Sequence, residues 1–266
     1  MTNITRTILT ALIIMLAATA ARAAKVDTLS VYSQKMKRSL STIVYTPDAA
    51  GEAKYPVIYL LHGYSGNSTT WPGITDVARL ADTYRTIIVC PDGQNSWYVD
   101  SPVDPSMQFE TFISKELPEY IDAHYPTYAR RELRAITGLS MGGHGAMWNG
   151  LQHPDVFGNI GTTSGCMDIC QYPNCWQIEK VLGNKFQNET VWKSHSVYYS
   201  LDRLLGSRQN IIIDCGYSDF FYPVNLQTHK RRLTGQTPSV WKIFSAHRER
   251  HLSKADGNTA GKNMTA

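Results

Sequence analysis

Beyond residue 20 the sequence has no apolar run approaching the roughly 20 residues that a membrane span needs. It also has no internal repeat, no linker and no low-complexity tract before a polar tail. These absences point to one soluble α/β-sized domain with a large core. An excess of one charge is missing too. The formal net charge is +4, and it falls to +2 without the first 23 residues, which carry Arg6 and Arg22 and no acid. So small an imbalance gives no footing for nucleic acid or an anionic surface, and a neutral or small substrate fits better. Evenly paired cysteine is lacking as well. Five is an odd number, so in an oxidising compartment at least one thiol stays free or pairs with another chain. Cys90 and Cys215 lie in apolar runs that read as buried strands, where cysteine behaves as a small hydrophobe. Cys166, Cys170 and Cys175 share one loop-like segment, and a local disulfide is expected there. A zinc site in that segment would need a fourth ligand and a paired spacing that are absent.

What is present starts with Arg6, an apolar stretch over 8–20, and Ala21-Arg22-Ala23, which fits the small-x-small rule of signal peptidase. Residues 1–23 therefore read as a secretory signal peptide, with a retained N-terminal anchor as the alternative. Residues 24–252 read as the folded domain and 253–266 as a polar tail.

Along the domain, β-rich runs alternate with amphipathic ones. Strands are expected over 29–32, 39–45, 57–61 (VIYLL), 86–90, 133–137, 159–163, 210–214 and 240–244. Helices are expected over 74–84, 109–124 (kinked or split by Pro118), 141–152, 176–182, 197–205 and 224–233. This alternation predicts an α/β fold: a mostly parallel central sheet with helices on both faces.

The strongest chemical signal is Gly138-Leu139-Ser140-Met141-Gly142 between an expected strand and an expected helix. That context makes it a nucleophile elbow, in which a sharp turn lifts the serine hydroxyl over the sheet edge. A glycine-rich packing turn is the bland alternative. Directly after the strand 57–61 comes His62-Gly63-Tyr64-Ser65-Gly66, which is placed to form half of an oxyanion hole. The backbone N–H groups of Tyr64 and Met141 are the expected donors.

Serine needs a base and the base an orienting acid, in the chain order serine, acid, histidine. Asp219, in the loop leaving the strand 210–214, suits the acid, whereas Asp214 and Asp168 read as structural. Downstream lie His229, mid-helix among basic residues, then His247 and His251 after the last expected strand. His124 and His144 read as surface and packing residues.

The segments YLLHGYSGNSTTW, PDGQNSWYVDSP, KELPEYIDAHY, AITGLSMGGHGA, HPDVFG and DCGYSDFFYPVN run from Tyr59 to Asn225. Together they resemble the esterase family of α/β hydrolases that includes feruloyl and acetylxylan esterases, S-formylglutathione hydrolases and mycolyltransferase-like proteins. The resemblance implies the α/β-hydrolase fold, Ser140 as nucleophile, Asp219 as triad acid, and the oxyanion donors at Tyr64 and Met141. It also implies that Trp97, Tyr98 and Asp100 border the substrate.

The end of the chain departs from that family. Its Pro-Gly-x-His-x-Trp motif and closing amphipathic helix are replaced by Ser245-Ala246-His247-Arg248-Glu249-Arg250-His251 and polar residues. The base is carried to His247, the histidine nearest the expected position, with His251 left open. Two function classes follow. One is a secreted serine carboxylic-ester hydrolase working through an acyl-enzyme, without metal or cofactor, on small-molecule or polysaccharide esters. The other is a catalytically impaired relative kept as a carbohydrate-binding or interaction protein.

Overall fold

The computed structural model describes residues 24–48, 53–233 and 243–244. The signal-peptide segment, the polar tail, His247 and His251 lie outside the described residues. Strands β1 (Lys25–Ser33) and β2 (Arg38–Thr46) form a hairpin whose register runs from Lys25 opposite Thr46 to Ser33 opposite Arg38. They extend beyond the spans 29–32 and 39–45 because each ladder partner satisfies the other's backbone. The remaining strands are β3 (Val57–Leu61), β4 (Ile87–Pro91), β5 (Arg134–Gly138), β6 (Asn159–Thr163), β7 (Asn210–Asp214) and β8 (Ile243–Phe244). The sheet order is β1-β2-β4-β3-β5-β6-β7-β8. β2 meets β4 antiparallel, and every pairing from β4 through β3 to β8 is parallel. This is the mostly parallel sheet of the α/β-hydrolase fold.

Side-chain alternation splits the core in two. Val44, Ile87, Val89, Tyr59 and Leu61 point to one face and join the main core with Phe109, Ile113, Met147 and Trp192. Ile43, Tyr45, Ile88 and Cys90 point to the other face, where helix α1 (Val77–Tyr84) covers them with Val77 and Ala81. Helix α1 starts later than the expected residue 74. Asp76 caps it by accepting the Arg79 N–H, and this fixes the first turn.

The segment expected as a kinked helix over 109–124 splits into Phe109–Thr111, a π-helical Phe112–Glu116 and helix α2 (Leu117–His124). Pro118 is the second residue of α2, directly after the π turn, whose wider ring accommodates the pyrrolidine that an α-helical interior would exclude. Helix α3 (Met141–Gln152) keeps its expected bounds. Helix α4 (Ile178–Leu182) is followed by α5 (Glu189–Ser194), a short helix that the periodicity did not reveal. Its signal is the Glu189 and Lys193 pair at i,i+4 spacing. Residues Val197–Leu204 form a 3₁₀ helix rather than an α-helix, and its first half, Val197, Tyr198, Tyr199 and Ser200, consists of weak helix formers. Helix α6 (Tyr222–Leu233) completes the described helices. Among the described residues no helix is long and apolar enough to cross a membrane.

The disulfide expected among Cys166, Cys170 and Cys175 is not formed, and all five cysteines are free thiols. Asp168 fixes the segment instead, accepting from the Cys170 N–H, Gln171 Nε2 and Ser196 Oγ. Cys166 and Cys170 are thereby turned into the core as small hydrophobes.

Candidate active site

The parallel strands end on one edge, and the site is built there. At the end of β5 the chain turns through Ser140, with φ 57° and ψ −116°, directly into α3. This backbone region is strained for serine, at a cost of order 1–3 kcal/mol, and is held by its surroundings. The Ser140 N–H donates to Thr163 O at 3.0 Å and the His144 N–H to Ser140 O at 3.0 Å. A Cβ on Gly142 would lie 2.5 Å from the carbonyl oxygens of both Leu61 and His62, and one on Gly138 would meet Gly142 at the same distance. Only glycine lets the helix start press so closely on the end of β3. The serine is half-buried.

The loop after β3 lies against the elbow. A Cβ placed on Gly63 would be 3.5 Å from Ser140 Cβ. His62 anchors this loop: its Nε2 accepts the Gly93 N–H at 2.9 Å, and its Nδ1 is 2.7 Å from Gly63 O, to which it donates. Asp92 Oδ1 also stands 3.6 Å from His62 Nε2. Among the described residues, the N–H groups of Tyr64 and Met141 donate to no backbone carbonyl. Both remain available to an outside acceptor.

Trp97 and Tyr98 take a place other than the one expected. Their exposures are 1% and 0%, leaving no surface for a substrate. Both lie in the left-handed region, at φ 57° and 58°. The Tyr98 hydroxyl donates to His62 O at 3.0 Å, and the Trp97 indole N–H donates to Trp176 O at 3.2 Å. Asp100 is also drawn away from a binding role, since its carboxylate accepts from both the N–H and the hydroxyl of Thr111. The three residues brace the loops from below. Apolar bulk and positive φ turned Trp97 and Tyr98 inward, which the family likeness of the segment could not show.

Asp219 lies in the loop after β7, half-buried. Its Oδ1 accepts the Phe221 N–H at 2.7 Å just ahead of α6. Its other oxygen takes no hydrogen bond among the described residues. Asn225, one turn into α6, donates to Gly165 O at 2.8 Å, and Gly165 packs against Gly143 on α3. The Asp219 loop and the Ser140 elbow are thus tied to the same sheet edge through one glycine. Asp214 ends β7 opposite Phe244, and Asp168 is a buried cap that accepts the Cys170 N–H. Beside Asp219 stands an aromatic group that the sequence reading missed. Trp176 stacks on Phe220 at 5.7 Å and packs against Tyr172 and Phe221, and Phe220 is 56% exposed. The FF pair after Asp219 was its signal.

Other nucleophiles near this edge are silenced. Burial pushes the Cys215 thiol up to about 12 and Cys166 well above its usual range, so neither is a thiolate at neutral pH. His144 is enclosed on α3 between Trp97 O and His195 O, at 3.2 and 3.0 Å. Burial pushes it down to about 4 against the pull of those carbonyls. It is neutral, fully buried and structural, as its reading as a packing residue anticipated.

Known proteins resemble this chain in sequence and fold. An acetyl esterase of Caldicellulosiruptor saccharolyticus is 28% identical over 192 residues, covering 69% of this chain and 70% of the relative. A solved ferulic acid esterase superposes with a TM-score of 0.71 at 27% identity, covering 85% of this chain and 91% of that one. The fluorophosphonate-binding serine hydrolase F of Staphylococcus aureus superposes with a TM-score of 0.75 at 21% identity, covering 88% and 96%. That likeness speaks to the fold. The family described as "Putative esterase" matches residues 33–252, which include the elbow, the loop after β3 and Asp219. The chain therefore belongs to this esterase family and is a serine carboxylic-ester hydrolase of the α/β-hydrolase fold.

Proposed function

We propose that the chain is a secreted esterase in which Ser140 attacks the ester carbonyl, His247 takes the serine proton, and Asp219 orients that histidine. The Tyr64 and Met141 N–H groups receive the developing oxyanion. The alcohol leaves with the proton held by His247, and water then attacks the acyl-serine by the same route in reverse. The strained Ser140, with the Gly63 loop against its Cβ, is the observation that carries this reading. The substrates are esters of polysaccharides or of small extracellular molecules. Export rests on the leader sequence. The substrate class rests on the relatives described as an acetyl esterase and a ferulic acid esterase. The Trp176 and Phe220 shelf beside Asp219 suits a flat ring, because a planar or sugar group buries its face on an aromatic surface.

The test is labelling of the purified chain with a fluorophosphonate probe. Adduct formation at Ser140, lost together with p-nitrophenyl acetate hydrolysis in Ser140→Ala, is the expected result. Labelling at another serine refutes the assignment. A second reading, a catalytically impaired binding protein, is favoured by the absence of the Pro-Gly-x-His-x-Trp motif from the tail. It gains if the unmutated chain neither labels nor turns over.

A further inference from the structure

The start of β1 carries a second site. The Ala24 nitrogen donates to Asp82 Oδ2 at 2.8 Å, and the other oxygen of the same carboxylate accepts the Asp48 N–H at 2.8 Å. Asp82 belongs to α1, Ala24 immediately precedes β1, and Asp48 lies two residues beyond β2. One carboxylate thus clamps both open ends of the hairpin to the helix that covers them. Ala24 is 6% exposed and packs into the smaller core with Ile43, Tyr45, Val77, Ala81 and Ile88. Among the described residues no lysine or arginine pairs with Asp82. Ala24 is also the residue directly after Ala21-Arg22-Ala23.

We propose that the Ala23–Ala24 peptide bond is the processing site of the exported chain, and that the α-ammonium freed there is held by Asp82 as an ion pair. Water adds across the amide. Ala23 leaves with a carboxylate, and Ala24 keeps the nitrogen, which takes up a proton. The group at 2.8 Å from Asp82 then changes from a neutral amide to a cation, and a charge-assisted bond to a carboxylate is about twice as strong as a neutral one. Processing thereby completes the clamp on the hairpin, and the carboxylate gains a cationic partner. The inference rests on the export reading above but not on the catalytic one.

The full chain is expressed in an exporting bacterial host, and the recovered protein is analysed by intact mass and N-terminal sequencing. The melting temperature of that product is compared with that of a cytoplasmically made chain carrying Gly-Ser ahead of Ala24, each with and without Asp82→Asn. The expected result is an N-terminus at Ala24, a processed form that melts several degrees higher, and loss of that difference in Asp82→Asn. A start at another residue, a retained leader acting as an anchor, or equal melting of the two forms overturns the proposal. If Asp82→Asn does not accumulate, the two unmutated forms decide alone. Fluorophosphonate labelling of Ser140 is read on the same samples, so failure of this proposal and failure of the esterase reading are distinguishable.

Discussion

Tyr98→Phe separates support from contact at the active site. The ring of Tyr98 fills the gap between the loop after β4 and helix α3. A Cβ on Gly93 would lie 2.0 Å from it, and one on Gly145 would lie 2.4 Å away. Phenylalanine keeps that packing and deletes only the hydroxyl that donates to His62 O at 3.0 Å. A buried acceptor left without its donor costs about 1–3 kcal/mol. For a domain of this size, roughly 2–4 °C in Tm accompanies each kcal/mol, so Tm falls by several degrees. The lost bond sits two residues before Tyr64. Complete loss of one oxyanion donor costs about 10²–10³ in kcat, and a displaced donor costs part of that, roughly tenfold. We expect kcat for p-nitrophenyl acetate to fall about tenfold with KM nearly unchanged, and the rate of fluorophosphonate labelling to fall in parallel, since both reactions pass through an oxyanion. A lower Tm with an unchanged labelling rate would show that the bond stabilises the fold without placing the loop. No change in either would refute the argument entirely.

Further outcomes follow from the same geometry. Asp219→Asn should leave Tm almost unchanged, because asparagine Oδ1 can still accept the Phe221 N–H, yet lower kcat by roughly 10³–10⁴ through loss of the charge that orients and stabilises the imidazolium; an effect confined to KM would make it a binding residue. In the tail, His247→Ala should remove nearly all activity and His251→Ala should leave most of it, and the reverse ranking in a p-nitrophenyl acetate assay would move the base to His251. His144 stays neutral in the folded chain down to about 4, while the unfolded chain takes up that proton near 6.5. Its contribution is therefore fully present above 6.5 and is lost as pH falls toward 4, by up to about 3 kcal/mol at about 1.4 kcal/mol per pH unit. Denaturant unfolding of His144→Gln should show a flatter dependence across that window, and an unchanged slope would assign the acid loss elsewhere.

The sequence by itself determined the scaffold and the identity of the elbow. Helix α3 and strands β6 and β7 kept their expected bounds because their periodicity and flanking glycine or aspartate are local signals. Ser140 was legible because a strand, GLSMG and a helix in succession admit few other geometries. Asp219 followed from chain order and from its place in a loop leaving a strand. The direction of Trp97 and Tyr98 was decided only by the fold. Two successive residues at positive φ turn both rings into the core, the Tyr98 hydroxyl onto His62 O and the Trp97 indole N–H onto Trp176 O, and nothing in SWYVDSP announces that turn. The thiols of Cys166 and Cys170 were likewise settled by what Asp168 holds and what the core encloses. The aromatic shelf brings Trp176 to Phe220 across more than 40 residues of sequence, and the clamp on Ala24 spans a separation of 58. Local pattern encodes elements and turns, because their hydrogen bonds close within a few residues. Contacts made across the sheet edge belong to tertiary packing, because their partners meet only after the strands have paired.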